Sequence, residues 1–233
     1  MIDSSKKERL LQIRSAIEAA EKKSGRKAGS VRLVAVSKRK SWEDVNDFFS
    51  LGITDFGENY IQEALEKIDA LKQAHPKSEI RWHFIGTLQS NKSKFLPAKF
   101  HLFHGLDSLT LAQKIHSHSM KAGKIMDCLL EVNIDEEHSK GGLRHSNLAT
   151  MLESMNQLSH LRIKGLMCIP KVNGSGRDAF AKLRILMEEL NKAACYKEKL
   201  TELSMGMSSD FEAAILEGAT IVRVGTKLFG ERE

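Results

Sequence analysis

A chain of 233 residues is long enough for one large domain, and 41% hydrophobic with 28% charged residues is the balance of an ordinary soluble protein. No stretch approaches the ~20 apolar residues of a membrane helix. Three cysteines without a CxxC pair argue against a disulfide framework or a structural zinc site. The net charge of +6 is scattered among acids and not gathered into a basic patch interleaved with aromatics, so nucleic acid is not an expected partner.

The N-terminal stretch "MIDSSKKERLLQIRSAIEAAEKKSGRK" reads as an amphipathic helix. It lacks the apolar core of a signal peptide, and a cytoplasmic location is expected. Apolar runs then alternate with segments of helical spacing. Strands are predicted at 31–38, 53–58, 81–86, 100–107, 127–134, 161–169, 201–207 and 220–226. Between them, helical spacing links Trp42, Val45, Phe48 and Phe49, then Ile61, Ala64, Leu65 and Ile68. The same spacing links Leu109, Ala112 and Ile115, then Phe180, Leu183, Leu186, Met187 and Leu190. Cys128 and Cys168 fall in apolar strands as core residues. "KVNGSGR" (171–177) reads as a loop after the sixth strand, which leaves one domain over 1–233.

Eight strands, each followed by a helix and several nearly continuous in apolar character, predict a closed parallel (β/α)8 TIM barrel with the first helix as added cover. An open doubly wound sheet would leave polar edge strands, and no pair of them is evident.

Active sites of such barrels collect at the C-terminal strand ends. Alternation puts Val34, Val36 and Lys38 on one side of the first strand, so Lys38 stands at the barrel mouth if the valines fill it. A lone strand-end lysine either snorkels into solvent or serves as a nucleophilic amine, and both readings stay open at this point. The other ends carry Glu58 and Asn59, followed by Tyr60; His83 within the third strand; Ser204 and Ser208; and Arg223 with Gly225 and Thr226. Taken singly, His83 could be a satisfied core histidine, Ser208 a cap and Gly225 a turn glycine. Ser209 or Asp210 can cap the next helix. Together, the last two ends form the usual phosphate cradle of this fold, with hydroxyl donors from Ser208 and Thr226 and close backbone approach at Gly225. An amine for a carbonyl, a cradle for a phosphate and a guanidinium facing the mouth and needing an acceptor together describe pyridoxal 5′-phosphate (PLP).

"AVSK", "FGENYIQEALEK", "WHFIGTLQSNK", "SKGGL", "GLMCIP" and "LSMGMSSDFEAAILEGATIVRVGTKLFGER" closely resemble the pyridoxal phosphate homeostasis proteins, the YggS/PROSC group. The resemblance implies that Lys38 holds PLP reversibly as an aldimine and that Arg223 meets the pyridine nitrogen. It further implies that Ser208, Gly225 and Thr226 hold the phosphate and that Asn59 and His83 lie close to the ring. The same barrel forms the N-terminal domain of fold-type III enzymes such as alanine racemase, which add an all-β domain and a tyrosine base from across a dimer. Here the sequence ends at Glu233, soon after the eighth strand, and its tyrosines are Tyr60 and Tyr196. The expected protein is therefore a fold-type III barrel without the β domain, monomeric, that carries PLP in vitamin B6 homeostasis and exchanges it with free amino acids or apo PLP-enzymes. The alternatives are a PLP-dependent amino-acid racemase, a barrel aldolase using Lys38 directly, and a nucleic-acid or partner-binding module.

Overall fold

The computed structural model describes residues 3–137, 141–171 and 176–230. Its eight strands are β1 Arg32–Val36, β2 Asp55–Glu58, β3 Arg81–Phe84, β4 Leu102–Leu106, β5 Met126–Glu131, β6 Leu161–Met167, β7 Glu202–Ser204 and β8 Ile221–Val224. All are parallel and pair in chain order, and β8 closes on β1, which makes a complete barrel. Closure leaves no strand edge, so every ladder N–H and C=O has a neighbour. The helices are α1 Ser4–Lys23, α2 Trp42–Ser50, α3 Ile61–Ala74, α4 Leu96–Lys99, α5 Leu109–Lys121, α6 Leu148–Met155, α7 Gly176–Lys192, α8 Phe211–Leu216 and α9 Thr226–Phe229. None of the described helices is long and apolar enough to cross a membrane.

Each predicted strand is present, losing two to four residues where its apolar run continues beyond the ladder, and β5 begins one residue earlier than predicted. The helical spacings fall on α2, α3, α5 and α7, although Trp42 lies at the exposed start of α2 and not in the core. Cys128 and Cys168 are fully buried, as core residues should be. The "KVNGSGR" loop and the "SKGGL" motif fall partly outside the described residues.

The period-two alternation of the strands divides the core into two parts. Outward residues of the strands meet the helices in one large apolar shell, while Val34, Leu102, Leu129, Met167 and Ile221 form a small cluster inside the barrel. Towards the C-terminal strand ends the interior becomes polar, with His83, His104, Ser204 and Arg223 all buried. Gly165 lets β6 and β7 approach: a Cβ there would come within 2.6 Å of the Glu202 carbonyl carbon.

The first helix is more than a lid. It buries Leu10, Ile13, Ile17 and Ala20, and its side chains tie distant parts of the barrel together. Lys6 bridges Asp44 and Asp47 at 2.6 and 2.7 Å. Arg9 donates to the Leu228 carbonyl at 2.8 Å, and Arg26, just beyond the helix, donates to the Ala219 carbonyl at 2.6 Å.

Candidate functional site

The β1–β8 pairing brings the sequence-predicted residues together. Val34 is in register with Arg223 and Ala35 with Val224, so the turn holding Lys38 and the turn holding Gly225 and Thr226 leave neighbouring strands. On the other side, Val36 is in register with Gly57, which places the Asn59 turn next to the Lys38 turn. The inward direction of Val34 and Val36 is fixed by what they approach. A Cβ on Gly57 would meet Val34, and one on Gly225 would meet Val36.

Lys38 is half-buried in the turn after β1, and the backbone on both sides of it is pinned. Ser37 faces outward. Its N–H donates to Gly57 O at 3.0 Å, its hydroxyl donates to Glu58 Oε1 at 2.6 Å, and its carbonyl accepts from Lys67 Nζ at 2.6 Å. Lys67, on α3, also pairs with Glu58 at 2.8 Å and Glu63 at 2.6 Å. Glu63 in turn accepts from the N–H of Arg39, a residue in the left-handed region at φ 60°. A positive φ is uncommon for a residue with a side chain and persists only where neighbours hold it. Burial raises the Glu58 carboxyl above its ordinary value, with Lys67 opposing. Glu58 thus serves the wall behind Lys38 and does not face the mouth.

Arg223 is buried inside the barrel. Its NH1 donates to Ser204 Oγ at 2.6 Å and its NH2 to the Cys168 carbonyl at 2.9 Å. Burial lowers its pKa from the ordinary arginine value, while Cys168, Glu131 and Asp210 oppose that shift. A guanidinium has five N–H donors and no acceptor, so these two bonds leave it capacity to donate further.

The loops after β7 and β8 are joined at Ser208, whose hydroxyl accepts from Gly225 N–H at 3.3 Å and Lys227 N–H at 3.4 Å. Gly225 and Thr226 do not extend β8, as the sequence reading had it; Gly225 caps α9 and Thr226 begins it. Asp210 is the N-cap residue of α8, but its carboxylate turns back to accept from Met207 N–H at 2.6 Å and not from the helix. Asn59 contributes a buried Oδ1 with no hydrogen-bond partner among the described residues. An orphaned buried acceptor is uncommon and asks for a donor.

His83 lies within the barrel and not at a strand end. Its Nε2 is 3.0 Å from Asp55 Oδ1 and its Nδ1 is 2.9 Å from His104 Nε2. His104 continues to Ser204 through a 2.8 Å contact between Nδ1 and Oγ. The sequence reading missed His104, Asp55, Glu63 and Lys67 as contributors. The sequence signal of His104 and Asp55 is polarity inside otherwise apolar strands, whereas Glu63 and Lys67 carry none, lying among the other charges of α3. Tyr60 is exposed, and Arg39 donates to its hydroxyl at 3.4 Å.

The chain matches the family described as "Alanine racemase, N-terminal domain" over residues 10–233. It is 42% identical over 229 residues to the pyridoxal phosphate homeostasis protein of Aquifex aeolicus, covering 97% of this chain and 98% of that one. The protein of the same name from Escherichia coli is 34% identical over 224 residues, with 96% and 95% covered. Among solved structures, PipY of Synechococcus elongatus with PLP bound superposes with a TM-score of 0.83 at 34% identity, covering 96% of this chain and 99% of that one. Alanine racemase of Corynebacterium glutamicum shares the fold at a TM-score of 0.66 and 11% identity, matching 93% of this chain and 59% of the longer racemase.

Proposed function

Because the chain belongs to the pyridoxal phosphate homeostasis protein family, built on the barrel of the alanine racemase N-terminal domain, we propose that it binds PLP reversibly and acts in vitamin B6 homeostasis. The observation that carries this reading is the β1–β8 register, which sets the Lys38 turn beside Arg223 and the Ser208–Gly225 cradle. The residues fit the cofactor by their donors and one acceptor: an amine, a buried guanidinium with spare N–H groups, converging backbone N–H groups and an orphaned amide oxygen that can accept.

When bound, PLP supplies an aldehyde carbon that condenses reversibly with a primary amine and releases water. Lys38 is the amine on this chain, and the Ser37–Lys67–Glu63 clamp holds its turn in one place. Ser208 and Thr226, with the N–H groups of Gly225 and Lys227, would hold the phosphate. Arg223 would donate to the pyridine nitrogen. As a pure donor, it would favour that nitrogen unprotonated, which would make the ring a weaker electron sink than an aspartate partner would. Asn59 would complete the surroundings of the ring, and His83, whose two ring nitrogens are engaged by Asp55 and His104, would act on them only through His104.

This donor set suits a carrier better than a fast catalyst of carbanion chemistry. The reading adds free amino acids as exchange partners, apo PLP-enzymes as recipients, and a monomer. The test is spectroscopic. The purified protein with PLP should show the visible band of the bound cofactor, and Lys38→Ala should lose it. A band that survives Lys38→Ala, or rapid interconversion of alanine enantiomers by the pure protein, would overturn the proposal.

A further inference from the structure

Four buried contacts run end to end through the barrel, and their chemistry allows one direction only. Arg223 NH1 can only donate, so it donates to Ser204 Oγ at 2.6 Å. The serine has a single hydroxyl hydrogen, and its remaining contact is His104 Nδ1 at 2.8 Å, which must accept it. A neutral His104 then carries its proton on Nε2 and donates to His83 Nδ1 at 2.9 Å. His83 in turn carries its proton on Nε2 and donates to Asp55 Oδ1 at 3.0 Å.

The far end is as firmly set as the near one. Asp55 accepts from Arg81 at 2.8 and 2.6 Å and from Thr54 at 2.9 Å, and it lies 3.8 Å from Arg32. Burial alone would raise the Asp55 carboxyl, but the hydrogen bonds from His83 and Arg81 outweigh it and hold the group well below the usual carboxylate range. Burial pushes both imidazoles below their ordinary value, His104 well below, so both rings are neutral near pH 7. Other charged or titratable groups facing the chain are His101, whose ring is 5.9 Å from that of His83, Arg32 towards both imidazoles, and Cys168, Glu131 and Asp210 towards Arg223. The Asp55 end borders a cavity of about 570 Å³ at the opposite, N-terminal face of the barrel, lined also by Arg14, Arg32, Arg81 and Glu202.

We propose that Ser204, His104, His83 and Asp55 are positioning residues for Arg223: a one-way hydrogen-bond chain that fixes its guanidinium at the barrel mouth and ties that placement to the tautomers of two buried imidazoles. The chain has no second arrangement of equal quality. If His83 carried its proton on Nδ1, its Nε2 lone pair would face the Asp55 carboxylate. His104 would then have to shift its proton to Nδ1 and aim it at Ser204 Oγ, which already accepts from Arg223. Each reversal strands a buried polar group, at a cost comparable to a lost hydrogen bond. The proposal rests on the PLP-binding reading for its consequence at the mouth, but the chain itself is a property of the protein alone.

The test uses the full chain labelled with ¹⁵N-histidine. Without PLP, long-range ¹H–¹⁵N spectra at pH 7 should show His83 and His104 both neutral with the proton on Nε2. Ser204→Ala should populate a second His104 tautomer, weaken PLP binding about tenfold and shift the pH profile of its visible band. Ser204→Thr, which keeps the hydroxyl, should restore all three. If Ser204→Ala does not fold, Ser204→Cys fills the same space with a poor acceptor and should behave like the alanine variant. Either ring on the opposite tautomer or cationic at pH 7 overturns the chain. So does a Ser204→Ala protein with wild-type PLP affinity and band profile. Absence of any PLP band in the unaltered protein would instead sink the functional reading, and the tautomers would still judge the chain.

Discussion

Nζ of Lys67 lies 2.6 Å from the carbonyl oxygen of Ser37, the residue immediately before Lys38. A buried ammonium on α3 thus grips the backbone at the proposed point of cofactor attachment while neutralising Glu58. Lys67→Met should cost about 3–5 kcal/mol, because it leaves Glu58 buried without its counter-charge. Adding Glu58→Gln removes that orphan charge and should recover most of the lost Tm. The Ser37 carbonyl still lacks its donor in the double variant, so PLP affinity should stay low. Thermal melts and visible titrations read the two effects separately, and a double variant with full affinity would show that the grip does not matter.

Ser208 gathers the N–H groups of Gly225 and Lys227 from one loop while belonging to another. Ser208→Ala should change stability by no more than about 1 kcal/mol, since each neutral hydrogen bond contributes little net. Its effect on binding should depend on the phosphate: PLP affinity falls about tenfold, whereas pyridoxal without phosphate binds as before. Parallel titration with the two vitamers measures this, and equal losses for both would move Ser208 out of the cradle.

Gly86, two residues past β3, approaches the main chain of Asn59 so closely that a Cβ would lie 2.8 Å from its Cα. Backbone cannot yield as a flexible side chain does. Gly86→Ala should therefore destabilise the fold by about 1–3 kcal/mol and displace the orphaned Asn59 amide. Urea denaturation checks the first effect, and a parallel loss of PLP affinity checks the second.

Acid should weaken the protein in two stages. His83 and His104 have folded pKa values lowered by burial, so the unfolded chain takes up their protons first, at about pH 6.5. Their contribution is whole above that pH and is lost as the pH falls below it, at up to about 1.4 kcal/mol per pH unit for each ring. Asp55, whose pKa is held low, adds stability that is present above the unfolded carboxylate value and fades as the pH drops below about 4. Tm measured from pH 8 to pH 3 should show a plateau, then a decline. His104→Gln, which takes up no proton, should flatten the first part of the decline.

How much of this was legible in the sequence follows from the range of each interaction. The eight strands and five of the helices were visible because each advertises itself locally, by alternation or by helical spacing within a dozen residues. Lys38, Arg223 and the Ser208–Gly225–Thr226 group could be placed at the mouth because strand ends in a barrel are fixed by chain order. The supports were hidden. Lys67 and Glu63 in "QEALEK" look like solvated helix charges, and only the fold shows that α3 turns them towards Ser37. His104 reads as a core residue of an apolar strand, and its serine partner is 100 residues away. Glu58 looked like a mouth residue until the pleat, set by inward Gly57, sent it outward. Gly225 and Thr226 read as the end of a strand because four residues of helix carry too little periodicity to be noticed.

The grip of α1 on Leu228 and of the turn after it on Ala219, one point on each side of β8, has a practical corollary for anyone engineering the chain. Starting an expression clone at β1 for convenience, or fusing a reporter just ahead of Ser4, would tug on the stave that bears Arg223 and leads into the anion cradle. Vitamer retention and stability should therefore be followed together whenever this segment is altered, because the same helix also carries part of the core.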